Sequence, residues 1–165
     1  MMQEASPLKA LVLYESFFGN TRIIAESIAK GLERKAEVVS KNIKSCTPEE
    51  LRSVHLLVIG CATRGFRPSP ETHEFLTSLS REDVKHLAVA SFDTRIDLHT
   101  IESAILRWIV DLGGYAAKPI AKKLEQKGAR LIAEPMGFLV LDKEGPLKVG
   151  ELERAQAWAE GLHMS

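Results

Sequence analysis

Short apolar runs alternate along this chain with stretches in which apolar residues recur every third or fourth position. The run ALVLY at 10–14 predicts a buried strand. From Thr21 the period changes: Ile24, Ile28 and Leu32, flanked by Ala25 and Ala29, mark one face of a helix. AEVVSKNI at 36–43 reads as a second, weaker strand. Thr47-Pro48-Glu49-Glu50 carries a capping-box start for a short helix, because HLLVIGCA at 55–62 is already the next strand. Ser69-Pro70-Glu71 opens a helix to about Leu79, and HLAVASFD at 86–93 is a further buried strand.

The second half continues the alternation. Ile101, Ile105, Leu106, Ile109 and Leu112 form a helical stripe that Gly113-Gly114 ends. A helix follows from about Pro119 to Gly128. ARLIAEPMGFLVL at 129–141 is strand-like, but Pro135 and Gly137 predict that it is split or bulged. After the Gly145-Pro146 turn, GELERAQAWAEGL at 150–162 is a last helix with acids in its first turn. Nearly continuous apolar strands alternating with helices predict an α/β fold, an open doubly wound parallel sheet with helices on both faces. Ligands of such sheets bind beyond the carboxyl ends of the strands, here after Tyr14, Gly60 and Phe92.

The loop ESFFGNT at 15–21 joins the first strand to the first helix. A helix N-terminus offers unpaired N–H groups and partial positive charge to an anion. Ser16, Asn20 and Thr21 add side-chain donors, and Gly19 permits close backbone approach. The loop lacks the lysine and spacing of a Walker loop and is not GxGxxG, so a phosphate monoester fits better than a nucleoside triphosphate. The plainer alternative is a helix capped by Asn20 or Thr21.

Composition narrows the class. The 165 residues are the size of one domain, read as 1–165 with 1–7 a loose tail. Twenty-two basic and 22 acidic residues balance, so there is no basic excess for nucleic acid. No apolar run is long enough to span a bilayer, and no leader pattern opens the chain. Cys46 and Cys61 form no CxxC pair, which suits a reducing, cytoplasmic setting. The five histidines are scattered, without metal-ligand spacing.

LVLYESFFGNTRIIAESIAKGL resembles the first strand, phosphate loop and first helix of flavodoxin-like proteins. VIGCATRGF at 58–66, FDTR at 92–95 and the closing EGPLKVGELERAQAW extend the resemblance over nearly the whole chain. It implies five strands in the order 2-1-3-4-5 and non-covalently bound FMN. Ser16, Asn20 and Thr21 match phosphate-binding positions, with backbone N–H groups from Phe17, Phe18 and Gly19. Ala62, Thr63, Arg64 and Gly65 match the loop on one side of the flavin ring. Phe92, Asp93, Thr94 and Arg95 match the loop on the other. Flavodoxins often place a Trp and a Tyr there. In their stead Phe66 is expected to cover one face, or Arg64 or Arg95 to stack by its guanidinium plane. Segment 96–115 is an insert relative to the family pattern. Its Trp108 and Tyr115 supply aromatic cover, core packing or a homodimer contact.

The resemblance implies an electron carrier serving a redox partner protein or a small-molecule acceptor, with no catalytic side chain. Three other readings stand beside it: a small FMN-dependent NAD(P)H or quinone reductase, a flavodoxin fold without flavin that acts as an interaction module, and a phosphatase. The last rests on Cys61 and Arg67, which fit C-x5-R, but Pro68 and Pro70 remove N–H donors where such a loop needs them. Lysines 118, 122, 123 and 127 read as a solvated helix face.

Overall fold

The computed structural model describes residues 7–63, 67–97 and 115–164. The predicted tail at 1–6 and the predicted helix at 101–112, with Trp108, lie outside the described residues, as do Arg64, Gly65 and Phe66. The chain runs β1 (Lys9–Glu15), α1 (Asn20–Leu32), β2 (Glu37–Asn42), β3 (Leu56–Ala62), α2 (Pro70–Ser78), α3 (Arg81–Val84) and β4 (Ala88–Ile96). It continues with α4 (Ala117–Gln126), β5 (Arg130–Leu131), β6 (Met136–Val140) and α5 (Glu151–Glu160).

All strands pair in parallel, in the order β2-β1-β3-β4, with β5 and β6 both on the outer edge of β4. The 2-1-3-4-5 order and the helices on both faces hold. The split in the last strand holds too. Ala88 faces Arg130 but Phe92 faces Met136, so two extra residues enter on that edge around Pro135. A proline has no N–H for the ladder, and only an edge strand tolerates the interruption.

Alternation along β1, β3 and β4 sorts their side chains into two cores. Leu11, Leu13, Leu57, Ile59 and Val89 face α2 and α4, packing with Leu76, Ile120 and Leu124. Val12, Val58, Ala90 and Phe92 face α1 and α5, packing with Ile24, Ile28, Ala155 and Ala159. The helix expected after Thr47 is six residues of 3-10 helix, Pro48–Ser53, and the capping box is present, with the Thr47 N–H donating to Glu50 at 2.6 Å. Short helical connectors of this kind are commonly wound as 3-10 helix. The short α3, started by Ser80, has no counterpart in the sequence reading. Lys127 departs from the solvated face expected of it. Its ammonium donates to the carbonyls of Thr77 and Leu79, closing the C-terminal end of α2.

Candidate functional site

The carboxyl ends of β1, β3, β4 and β6 open on a cleft of ≈ 270 Å³. Ser16, Phe17, Phe18, Asn20 and Thr21 form its wall at the start of α1. Ala62 and Thr63 from the end of β3, with Thr94, Arg95 and Ile96 of β4, form the opposite wall. Val140 and Lys143 close the edge beyond β6.

Helix α1 begins at Gly19, which has φ 91°, and no side chain caps it. A side chain at Gly19 would meet open space, so φ alone selects glycine there. Asn20 and Thr21 therefore do not serve as caps, and this uncapped helix start lines the cleft. The Ser16 hydroxyl accepts the Gly19 N–H at 3.0 Å, which closes the loop and leaves its own hydrogen to donate. Thr21 is almost fully buried, and its hydroxyl meets that of Thr94 at 2.7 Å. One of the two donates to the other, so only one of the two hydroxyl hydrogens is left over. The Asn20 amide donates to the Glu144 carbonyl at 3.1 Å. Phe17 and Phe18 are 40% and 50% exposed. Their rings do not pack under the loop but form part of the cleft.

Several residues expected around a flavin ring are held elsewhere. Phe92 is fully buried, packed edge-on to Phe138 at 6.1 Å, and belongs to the core. Asp93 is fully buried and accepts both nitrogens of one fork of Arg95, at 2.6 and 2.8 Å. The same carboxylate accepts the Ala117 N–H at 2.9 Å and so caps α4 from outside that helix. Thr63 accepts the neighbouring Ala116 N–H at 3.1 Å, so β3 also meets the chain just before α4. Burial pushes the Asp93 pKa up, against the pull of Arg95 and the N–H of Ala117. The Arg95 guanidinium lies 3.5 Å from the centroid of the Tyr115 ring. Arg95 is thus neither a solvated loop charge nor a free cation for the cleft. Tyr115 stacks on Arg95 behind the wall. Strand alternation was the missed signal: residues 93 and 95 share a face, so an Asp and an Arg there can meet.

Glu15, Cys61 and Asp93 stand in register across β1, β3 and β4. Glu15 is 3% exposed and accepts hydroxyls from Ser69 and from Thr72, the latter at 2.8 Å, tying the end of β1 to the start of α2. Cys61 is fully buried, and burial pushes its thiol up to about 12. A phosphatase nucleophile must be an accessible thiolate, so Cys61 is a core residue instead. Burial likewise raises Cys46 to about 12, reinforced by Glu50. We expect neither cysteine to react with iodoacetamide in the native chain at about pH 8, and both to react in denaturant, as read by mass spectrometry. Rapid native labelling of Cys61 would contradict its placement. No group of metal-ligating side chains occurs among the described residues, and no helix among them is long and apolar enough to cross a membrane.

The family model for flavodoxin matches residues 12–158. The chain belongs to the flavodoxin family. FMN is the cofactor of that family, whose work is electron transfer. Solved structures agree on the fold. A flavodoxin from the domain Archaea superposes with a TM-score of 0.70 at 20% identity, over 93% of this chain and 94% of its own. Flavodoxin 2 from Bacillus cereus gives 0.66 at 23% identity, over 92% and 94%. The rubredoxin oxygen:oxidoreductase of Desulfovibrio gigas gives 0.71 at 17% identity, where 94% of this flavodoxin chain spans 35% of the larger protein. No curated protein matches the chain significantly.

The donor set fits FMN. Neutral hydroxyls and N–H groups gather at one helix start, no acid lines the cleft among the described residues, and apolar Phe17, Phe18, Ile96 and Val140 surround them.

Proposed function

We propose that this flavodoxin-family chain binds FMN non-covalently in the cleft and passes electrons between redox partners. The observation that carries the reading is the uncapped start of α1 at Gly19, opening into a hydroxyl-lined cleft. Bound FMN would supply the electron-accepting and electron-donating chemistry. The chain binds and orients it. The first-turn N–H groups of α1 and the hydroxyls of Ser16 and Thr21 take the phosphate. Ala62, Thr63 and Thr94 border the ring, while Phe17 and Phe18 cover the apolar part of the ligand. Asp93 and Arg95 act from behind, holding the ends of β3, β4 and α4 together.

Adding FMN to the purified chain and recording visible absorbance and flavin fluorescence tests this. A colourless protein that leaves FMN fluorescence unquenched rejects it. Oxidation of NAD(P)H with a quinone acceptor would then assign a bound-flavin protein as a reductase rather than a carrier.

The Thr21–Thr94 bond changes what a Thr21 variant reports. Thr21→Val is expected to weaken FMN about tenfold and to lower stability by about 1–2 kcal/mol, because Thr94 is left buried without its partner. Adding Thr94→Val should restore most of the stability but not the affinity. Phe17→Ala and Phe18→Ala should each weaken FMN less than Thr21→Val does. Equal or larger losses from the Phe variants would make the aromatic contact, not the phosphate, the main anchor.

A further inference from the structure

Among the described residues two cations line the cleft, and they are not equivalent. Arg95 is taken up by Asp93. Lys143 forms no ion pair among the described residues, and its neighbours Asp142 and Glu144 in the turn are exposed and do not line the cleft. Its place is built by the turn after β6. There the Leu141 N–H donates to Pro146 at 2.9 Å, the Gly145 N–H to Asp142 at 3.0 Å, and the Lys143 N–H to the Asp142 carboxylate at 2.7 Å. Asn20, the first residue of α1, holds this turn through its bond to the Glu144 carbonyl. Gly145 has φ 108°, and a Cβ there would lie 2.9 Å from the Asn20 amide. The turn and the start of α1 are therefore locked together at the proposed phosphate end of the cleft.

We infer that the 141–146 turn is a clamp for the phosphate of the bound flavin, with Lys143 as the counter-charge and Asn20 as its positioning residue. The inference rests on the FMN reading above. Hydroxyl and N–H donors solvate a phosphate without altering the net charge of the site. An ammonium group changes it, and the attraction is then screened by salt. This site accordingly selects flavins by charge, FMN over riboflavin, and does so less well as ionic strength rises. Asn20 acts through Lys143 as well as beside the ligand.

The test is to titrate FMN and riboflavin separately into the full chain, following flavin fluorescence, at about 20 mM and about 300 mM salt. Lys143→Met should weaken FMN about 5–10-fold at low salt and leave riboflavin within about twofold. It should also remove most of the salt dependence, and Lys143→Arg should retain it. Gly145→Ala, which keeps the lysine in the chain but displaces the turn that carries it, should reproduce the Lys143→Met pattern. An FMN change below about twofold in Lys143→Met, or a matching loss of riboflavin, overturns the clamp while leaving the FMN reading intact. If riboflavin binds too weakly to titrate, equal salt dependence of FMN in wild type and Lys143→Met overturns it. A wild-type chain that quenches neither flavin overturns both readings together.

Discussion

Asp93→Ala is expected to lower the unfolding free energy by about 3–5 kcal/mol, the cost of breaking a buried pair from one side. The carboxylate is fully buried and holds both Arg95 in β4 and the Ala117 N–H at the start of α4. Its removal strands a guanidinium whose side chain is only 20% exposed and uncaps α4 at once. A loss of that size is a large part of the stability of an ordinary domain. Urea titration monitored by circular dichroism measures it. The double variant Asp93→Ala/Arg95→Met should recover part of the loss, because it deletes the stranded charge. A single-variant loss under about 1 kcal/mol would mean that Arg95 finds water instead and that the pair is dispensable. In the FMN reading, Asp93→Ala also weakens flavin binding, although Asp93 touches no ligand, because Thr63 and Arg95 line the cleft.

Gly60→Ala is expected to cost about 3 kcal/mol or slightly more, and the reason is volume rather than backbone angle. A Cβ at Gly60 would sit 2.5 Å from three carbons of the Phe92 ring. That ring cannot retreat. It is fully buried, set edge-on to Phe138, which is in turn set edge-on to Trp158 at 5.9 Å. Interiors are packed too densely to absorb a methyl group by small adjustments. Thermal unfolding of Gly60→Ala, Phe92→Leu and the double variant measures the coupling. The double variant should be more stable than the sum of the single losses predicts, because a smaller side chain at 92 makes room for the methyl. Strict additivity would show that the Gly60 cost arises elsewhere in β3.

Both residues show where the sequence was readable. Gly60 and Phe92 were seen as strand ends near a ligand, but β3 runs on to Ala62 and β4 to Ile96. Their pairing was not visible, because it depends on the register that sets Gly60 opposite Phe92 across β3 and β4. Asp93 and Arg95 were read as loop residues of a flavin site. The strand in fact continues to Ile96, and two residues on one face of it neutralise each other. Polar residues at a strand end look alike in sequence whether they face a ligand or a partner.

The sequence by itself determined the alternation of strands and helices, the interruption of the last strand at Pro135, and the loop at 15–21 that leads into the start of α1. These follow from local causes: side-chain periodicity, a missing N–H in proline, and the unpaired groups at a helix start. Only the tertiary structure decided which polar groups remain available at the site. Thr21 meets Thr94 and Asn20 meets Glu144 across separations of 73 and 124 residues, and Lys143 enters the cleft from the far edge of the sheet. The physical reason is that a side chain satisfied within the fold has less to offer a ligand. Which ones are satisfied depends on contacts between elements distant in the chain, and no local pattern records them.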